Sequence, residues 1–268
     1  MLSQRLALSH VMLQKGGNMA HMQLVPEHVS ICANGVPASA RALHLRDRLR
    51  HFMPLGTVDL RPLWRGQAFE RYADAPITIR RARALEAVLD NVSLPIREEE
   101  CLVGTPAGAL VEGLPPGIDQ ETLAHYRQIN ETVGERSFWT NFDHVAVDYA
   151  GLLSSGLPGR LAEVRQSQAA HTDPARQTFL ESVAITLKAA IRFCRRWAAA
   201  CREQVAWVDI SRQQELGRMA EDLEAIASQA PATFSQAVQL TCTPSMPLAW
   251  RGVKERRPAQ HWNAYGPS

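Results

Sequence analysis

The feature that most constrains the fold of this chain is one long amphipathic stripe in its second half. Thr172-Asp173-Pro174 predicts a helix start, because Thr or Asp can cap the first N–H groups and proline fits the first turn. Apolar residues then recur at steps of three or four, at Phe179, Val183, Leu187, Ala190, Cys194, Trp197, Cys201, Val205 and Val208. About 30 residues of α-helix are roughly 45 Å long, so the stripe predicts the longest helix of a mainly helical protein.

Shorter helical patterns lie on both sides of this stripe. Residues 39–52 and 79–92 carry apolar side chains at helical spacing, and Asp119 is expected to cap a further helix. After the long helix, Ser211 is expected to cap another, and a last one is expected to run from Pro231 to Leu240. These patterns predict a mainly α fold.

Loops and short strands are expected between the helices. Proline and glycine predict a loop through residues 54–66 and a second loop over 105–118. Leu94–Gly104 is expected to form an acidic turn that leads into a short buried strand at Cys101–Val103. Gly156 is expected to end a helix as its C-terminal cap.

Composition excludes several classes of protein. No run of about 18 apolar residues is present, so no membrane span is expected, and a net charge of +2 does not predict a nucleic-acid partner. The five cysteines lack a CxxC pair and no signal peptide precedes them, which predicts reduced thiols in a cytoplasm. Cys194 and Cys201 are expected to be core residues, and no metal site is predicted.

Three regions differ in character along the chain. Residues 1–38 hold four methionines and two adjacent glycines and are expected to be a disordered leader. Residues 39–240 carry the helical patterns. Residues 241–268 are rich in proline, tryptophan and basic residues without periodicity, so this tail does not resemble the rest of the protein.

The best candidates for chemistry lie in the stretch SFWTNFDHVAVDY, residues 137–149. Asp143, His144 and Asp148 in an aromatic setting could bind a polar substrate through hydrogen bonds. A histidine that caps a helix is an equally good interpretation of this stretch. The acidic run Glu98–Glu100 is interpreted as a solvated turn, because three adjacent acids point in different directions on any regular element.

Four segments in order resemble the N-terminal part of the glycyl radical enzymes, the pyruvate formate-lyase-like family. The resemblance covers about Ile77 to Leu240, through ITIRRARALEAVLDNVSLPIREEECLVG, NFDHVAVDYAGLLSSGLPG, FLESVAITLKAAIRFCRRWAAACREQV and ELGRMAEDLEAIASQAPATFSQAVQL. It implies the N-terminal portion of a ten-stranded α/β barrel wrapped in helices. It also implies a protein glycyl radical, installed by a radical-SAM activating enzyme and passed to a cysteine that attacks a small-molecule substrate.

Only some of the family's functional residues have matching positions in this sequence. It implies that Asp143 and His144 contact the substrate, with Asp148 as a third contact. None of the five cysteines lies in the thiyl motif, and Gly252 and Gly266 have the wrong neighbours for the radical glycine. The family's members include formate acetyltransferases, diol and hydroxyproline dehydratases, and C–N or C–S lyases.

Two functional hypotheses follow. In the first, the chain is a piece of a glycyl radical enzyme, truncated or frameshifted after about Leu240, inactive alone and prone to self-association. In the second, it is a non-catalytic helical interaction module that uses the stripe from Phe179 to Val208 as a partner surface.

Overall fold

The computed structural model describes residues 32–33, 36–37, 39–50, 57–104, 110–135 and 148–242. The chain divides into two units, Met1–Met53 and Pro54–Ser268. In the first unit, strands β1 (Cys32–Ala33) and β2 (Val36–Pro37) pair antiparallel, and helix α1 spans Ala40–Arg50. The helix expected near residues 39–52 is therefore confirmed. The disordered leader over 1–38 and the irregular tail over 241–268 stay predictions, apart from β1, β2 and the helical residues 241–242, which lie within these ranges.

The second unit is mainly helical. Its helices are α2 (Arg61–Arg71), α3 (Ile77–Asn91), α4 (Gln120–Ile129) with a π-helical extension (Asn130–Glu135), α5 (Tyr149–Ala170), α6 (Pro174–Gln204), a 3-10 turn (Val205–Trp207), α7 (Ile210–Ser228) and α8 (234–242). Strands β3 (Thr57–Asp59) and β4 (Leu110–Glu112) pair antiparallel, with Val58 opposite Val111. The predicted fold class, mainly α with short strands, is confirmed.

Helix α6 is the centre of the main hydrophobic core and packs against α3, α5 and α7. The second half of the predicted stripe is correct, because Cys194, Trp197 and Cys201 are fully buried. The first half is correct only in part: Phe179 is 57% exposed, whereas its neighbour Leu180 is buried, and Val183, Leu187 and Ala190 are half-buried. Because other helices pack against α6 on several sides, it buries more than one stripe of residues. The spacing of apolar residues alone therefore does not predict which residues are buried.

The long helix begins and ends close to its predicted limits. Asp173 caps it, since its carboxylate accepts a hydrogen bond from the backbone N–H of Arg176 at 2.7 Å. Asp119 caps α4 in the same way, through the N–H of Thr122. The cap of α7 is Asp209 rather than the predicted Ser211, so that helix begins one residue before Ser211.

The loop predicted over residues 54–66 is wrong from residue 57 onward, the part of it that the structure describes. This stretch contains β3 and the first half of α2, with Pro62 in the first turn of that helix, where proline is tolerated. Gly66 lies inside α2 because α4 crosses there: a Cβ on Gly66 would lie 2.3 Å from the carbonyl oxygen of Tyr126. This glycine permits a close helix contact and does not mark a turn.

Replacement of Gly66 by alanine is therefore expected to destabilise the protein by roughly 1–3 kcal/mol, because backbone atoms of α4 must move. Gly217 is the matched control: it also lies in a helix, and a Cβ there meets nothing within 4 Å. Gly217→Ala is expected to be neutral or to stabilise by up to about 1 kcal/mol through helix propensity. Urea unfolding of both variants measures the difference, and equal effects would contradict the close contact.

The strand predicted at Cys101–Val103 is also wrong, although the acidic turn before it is present. Val103 is buried, yet its backbone pairs with a side chain: its N–H donates to Gln239 Oε1 at 3.0 Å, and its carbonyl accepts from Gln239 Nε2 at 3.1 Å. The amide of Gln239 thus replaces a neighbouring strand. The loop predicted over 105–118 is wrong in part, since it contains β4.

Candidate functional site

Asp148 is the one predicted site residue that lies in the described part of the chain. It is the N-cap of α5, and its Oδ1 accepts a hydrogen bond from the backbone N–H of Gly151 at 2.9 Å. Its side chain is 71% exposed. Asp143 and His144 lie outside the described residues, so their role as substrate contacts stays a prediction.

The second carboxylate oxygen of Asp148 is paired with Arg160. Arg160 Nη2 donates to Asp148 Oδ2 at 2.9 Å, and Arg160 Nη1 donates to Glu163 Oε2 at 2.8 Å. The hydrogen bond to Glu163 raises the pKa of Arg160, and the charge of Asp148 acts in the same direction. The guanidinium therefore bridges two carboxylates and keeps its charge.

Two glycines shape this corner of α5. Gly156 has φ 64 and interrupts the helix, which continues immediately afterwards. The expected helix end at Gly156 is thus present as a kink. A Cβ on Gly151 would lie 1.5 Å from Arg160 Nη2, so a side chain there would displace the guanidinium.

A buried arginine was not singled out from the sequence. Arg212 of α7 is buried and donates to the backbone carbonyls of Arg97 and Glu100 at 2.8 Å each, and to Glu215 at 2.8 Å. It therefore holds the acidic turn against α7. Its position four residues before Leu216, on the predicted buried face, was a signal that could have identified it.

The buried thiols are not suited to nucleophilic chemistry. Burial raises the pKa of Cys194 to about 12 and that of Cys201 to about 11, so both stay protonated near neutral pH. Both lie in the main core, which confirms the prediction that they are core residues. Cys101, in contrast, is exposed.

We expect Cys101 to be alkylated by iodoacetamide at pH 8 while Cys194 and Cys201 are protected until the protein unfolds. The reason is that alkylation needs an accessible thiolate. Peptide mass spectrometry after timed quenching resolves each site separately, and a Cys101→Ser variant identifies the early signal. Early labelling of Cys194 in folded protein would contradict the packing of α6.

The described part of the chain shows neither a metal-binding cluster nor a membrane-spanning helix. Between residues 32 and 242, outside the gaps stated above, no group of three His, Cys, Asp or Glu side chains is placed to hold a metal ion. Within the same part of the chain, no helix is long and apolar enough to cross a membrane.

Comparison with known proteins identifies the family that this chain resembles. The family model of pyruvate formate lyase-like proteins matches residues 118–248. The resemblance to the glycyl radical enzymes is confirmed. The matched range contains Asp143, His144 and Asp148, together with α4 to α8.

Two curated relatives are dehydratases by name. The chain is 28% identical over 230 residues to the probable dehydratase YbiW of Escherichia coli K12, and 26% identical over 235 residues to (2S)-3-sulfopropanediol dehydratase of Klebsiella oxytoca. Each alignment covers 65% of this chain and 28% of the relative. The chain therefore spans well under a third of the length of these relatives.

Solved structures show the same fold. A structure described for 1,2-propanediol dehydration in Roseburia inulinivorans aligns with a TM-score of 0.68 at 23% identity, over 80% of this chain and 32% of that one. The glycerol-bound B12-independent glycerol dehydratase of Clostridium butyricum aligns with a TM-score of 0.58 at 21% identity, over 71% and 31%. The described helices are thus a partial pyruvate formate-lyase-like fold.

Proposed function

We propose that this chain provides the N-terminal helical region of a glycyl radical dehydratase that acts on a small hydroxylated substrate. The observation that carries the proposal is the family match over residues 118–248, which includes the predicted substrate segment. Two curated relatives are dehydratases by name, and the two aligned structures are described for a glycerol dehydratase and for 1,2-propanediol dehydration. This favours dehydration over acyl transfer or C–N and C–S bond cleavage.

Asp143 and His144 are assigned to substrate contact. A carboxylate and an imidazole can together accept and donate hydrogen bonds to two neighbouring hydroxyl groups, which is what recognition of a diol needs. Asp148 stays a predicted third contact. Its bonds to Gly151 and Arg160 give it a structural role in addition.

The chain as it stands is proposed to be inactive alone. Radical dehydration needs the thiyl cysteine and the glycyl radical of the family, and no cysteine of this chain lies in a matching motif. The radical would be installed by a radical-SAM activating enzyme, which is the proposed protein partner. The proposed location is the cytoplasm of an anaerobic cell.

Anaerobic activation tests this proposal. The chain is incubated with a radical-SAM activase of a glycerol dehydratase, S-adenosylmethionine, a reductant and 1,2-propanediol, and is then examined by electron paramagnetic resonance and for propanal. Neither a glycyl radical doublet nor the aldehyde is expected. The activase with its own dehydratase is the positive control. A doublet with aldehyde formation would overturn the proposed inactivity.

Self-association is a further part of the proposal. Trp207 and Ile210, at the turn between α6 and α7, are 87% and 74% exposed, and exposed apolar side chains favour association. Sedimentation velocity is expected to show a concentration-dependent oligomer that weakens in Trp207→Ala. A defined complex with a different protein, without self-association, would favour the alternative of a non-catalytic helical interaction module.

A further inference from the structure

The pairing of Asp148 with Arg160 depends on the kink in α5. The two residues are 12 positions apart, which in a straight helix separates them by about 18 Å along the axis. Their side chains nevertheless meet at 2.9 Å. The positive φ of Gly156 breaks the helix between them, so the axis is not straight over this interval and the long Arg160 side chain can reach Asp148.

Gly151 leaves room for the guanidinium in the same corner. A Cβ at this position would lie 1.5 Å from Arg160 Nη2 and 2.2 Å from Asp148 Oδ2. The backbone N–H of Gly151 also donates to Asp148 Oδ1. Each oxygen of the Asp148 carboxylate therefore has its own donor, and the first residue before α5 is held from two directions.

We propose that Asp148, Gly151 and Arg160 form an anchor that fixes the point where the segment carrying Asp143 and His144 enters α5. Arg160 and Gly151 are positioning residues in this assignment, because they act through Asp148. The inference rests on the proposed function, in which this segment contacts the substrate. Asp148 is exposed and Arg160 is half-buried, so solvent screening keeps the contribution of the pair to stability small, and the proposed role is to position the chain.

The test uses three variants that remove the anchor in different ways. Arg160→Met removes the guanidinium that donates to Asp148. Gly151→Ala introduces a methyl group that pushes the guanidinium away from Asp148. Asp148→Asn keeps a cap residue for Gly151 but loses the charge. Glu163→Gln is a control that changes the other partner of Arg160, and Gly217→Ala is a control for a helical Gly→Ala change in open space.

The readout is the NMR signals of Asp143 and His144 in the 268-residue protein without any diol. Arg160→Met and Gly151→Ala are expected to shift these signals in the same direction, and the double variant is expected to shift them no further, because both changes remove one ion pair. Arg160→Lys should restore part of the wild-type position. The two control variants should leave the signals in place.

The anchor would be overturned if the Asp143 and His144 signals of Arg160→Met stayed at their wild-type positions. Signals from α6 verify that the variant is folded. A shift of equal size in the control variants would overturn it as well. Since no diol is present, the result is independent of substrate binding. If the variants shift the signals as expected but the wild-type protein does not bind the diol, the proposed function would be contradicted and the anchor would not.

Discussion

Replacing Trp197 with alanine is expected to lower the free energy of unfolding by about 3–5 kcal/mol, the range for large aromatic deletions in a core. Trp197 is 1% exposed and meets Phe193 edge to face, with ring centroids 6.0 Å apart. Its Nε1 has no hydrogen-bond partner in the described part of the protein, so the loss is one of packing. The cavity would open where α6 contacts the surrounding helices.

Trp207 provides the matched control on the same stretch of chain. Its side chain is almost fully exposed, so Trp207→Ala is expected to change the free energy of unfolding by no more than about 0.5 kcal/mol. Chemical denaturation of the two variants and the wild type at one low protein concentration gives the comparison. Similar losses in both variants would contradict the assignment of α6 as the central core helix.

Replacing Arg212 with leucine is the second change with a large expected effect, of about 3 kcal/mol. Arg212 donates to two backbone carbonyls of the acidic turn and to Glu215, and leucine would leave all three acceptors without this donor. The turn over residues 97–100 would then lose its hold on α7. Amide hydrogen exchange is expected to rise in this turn before it rises in α6.

Arg202→Leu is the control for the loss of a helical arginine. Arg202 pairs with Glu224 at 3.0 Å, but both side chains are exposed to solvent. Exposed pairs are worth about 0.2–1 kcal/mol, so a small loss is expected. An Arg212→Leu variant as stable as Arg202→Leu would show that the turn is held by other contacts.

The parts of the fold that could be predicted from the sequence are those set by local chemistry. Asp119 is predictable as a cap, and Thr172 or Asp173 as the cap of the long helix, because an N-cap needs only a side-chain oxygen near the N–H groups two or three residues later; the structure shows Asp119 and Asp173 in these roles. The buried face of α7 was recognised from spacing. Each of these features is decided within a few turns of one helix.

The errors occur where distant segments decide the outcome. Gly66 resembles a loop residue in the sequence, but the structure needs glycine there because the backbone of Tyr126, 60 positions later, comes close. Val103 resembles a strand residue, but its hydrogen-bond partner is the side chain of Gln239, 136 residues away. Local patterns contain no information about such partners.

The candidate site was predictable only in part. The sequence predicts Asp148 as a candidate substrate contact. Its pairing with Arg160 is not predictable from spacing, because it depends on the kink at Gly156 between the two residues. The residue types in the stretch 137–149 make Asp143 and His144 candidates, and the family resemblance favours them as substrate contacts. Composition alone leaves a substrate-binding histidine and a capping histidine equally favoured.

The measurement that tests the central proposal most directly is an NMR titration of the chain with 1,2-propanediol. The account predicts saturable shifts of the Asp143 and His144 signals with the diol and none with propan-1-ol, which lacks the second hydroxyl group. In His144→Ala the shift of the remaining Asp143 signal is expected to be lost. Signals of residues 143 and 144 that do not respond to the diol, while the protein is folded, would contradict it.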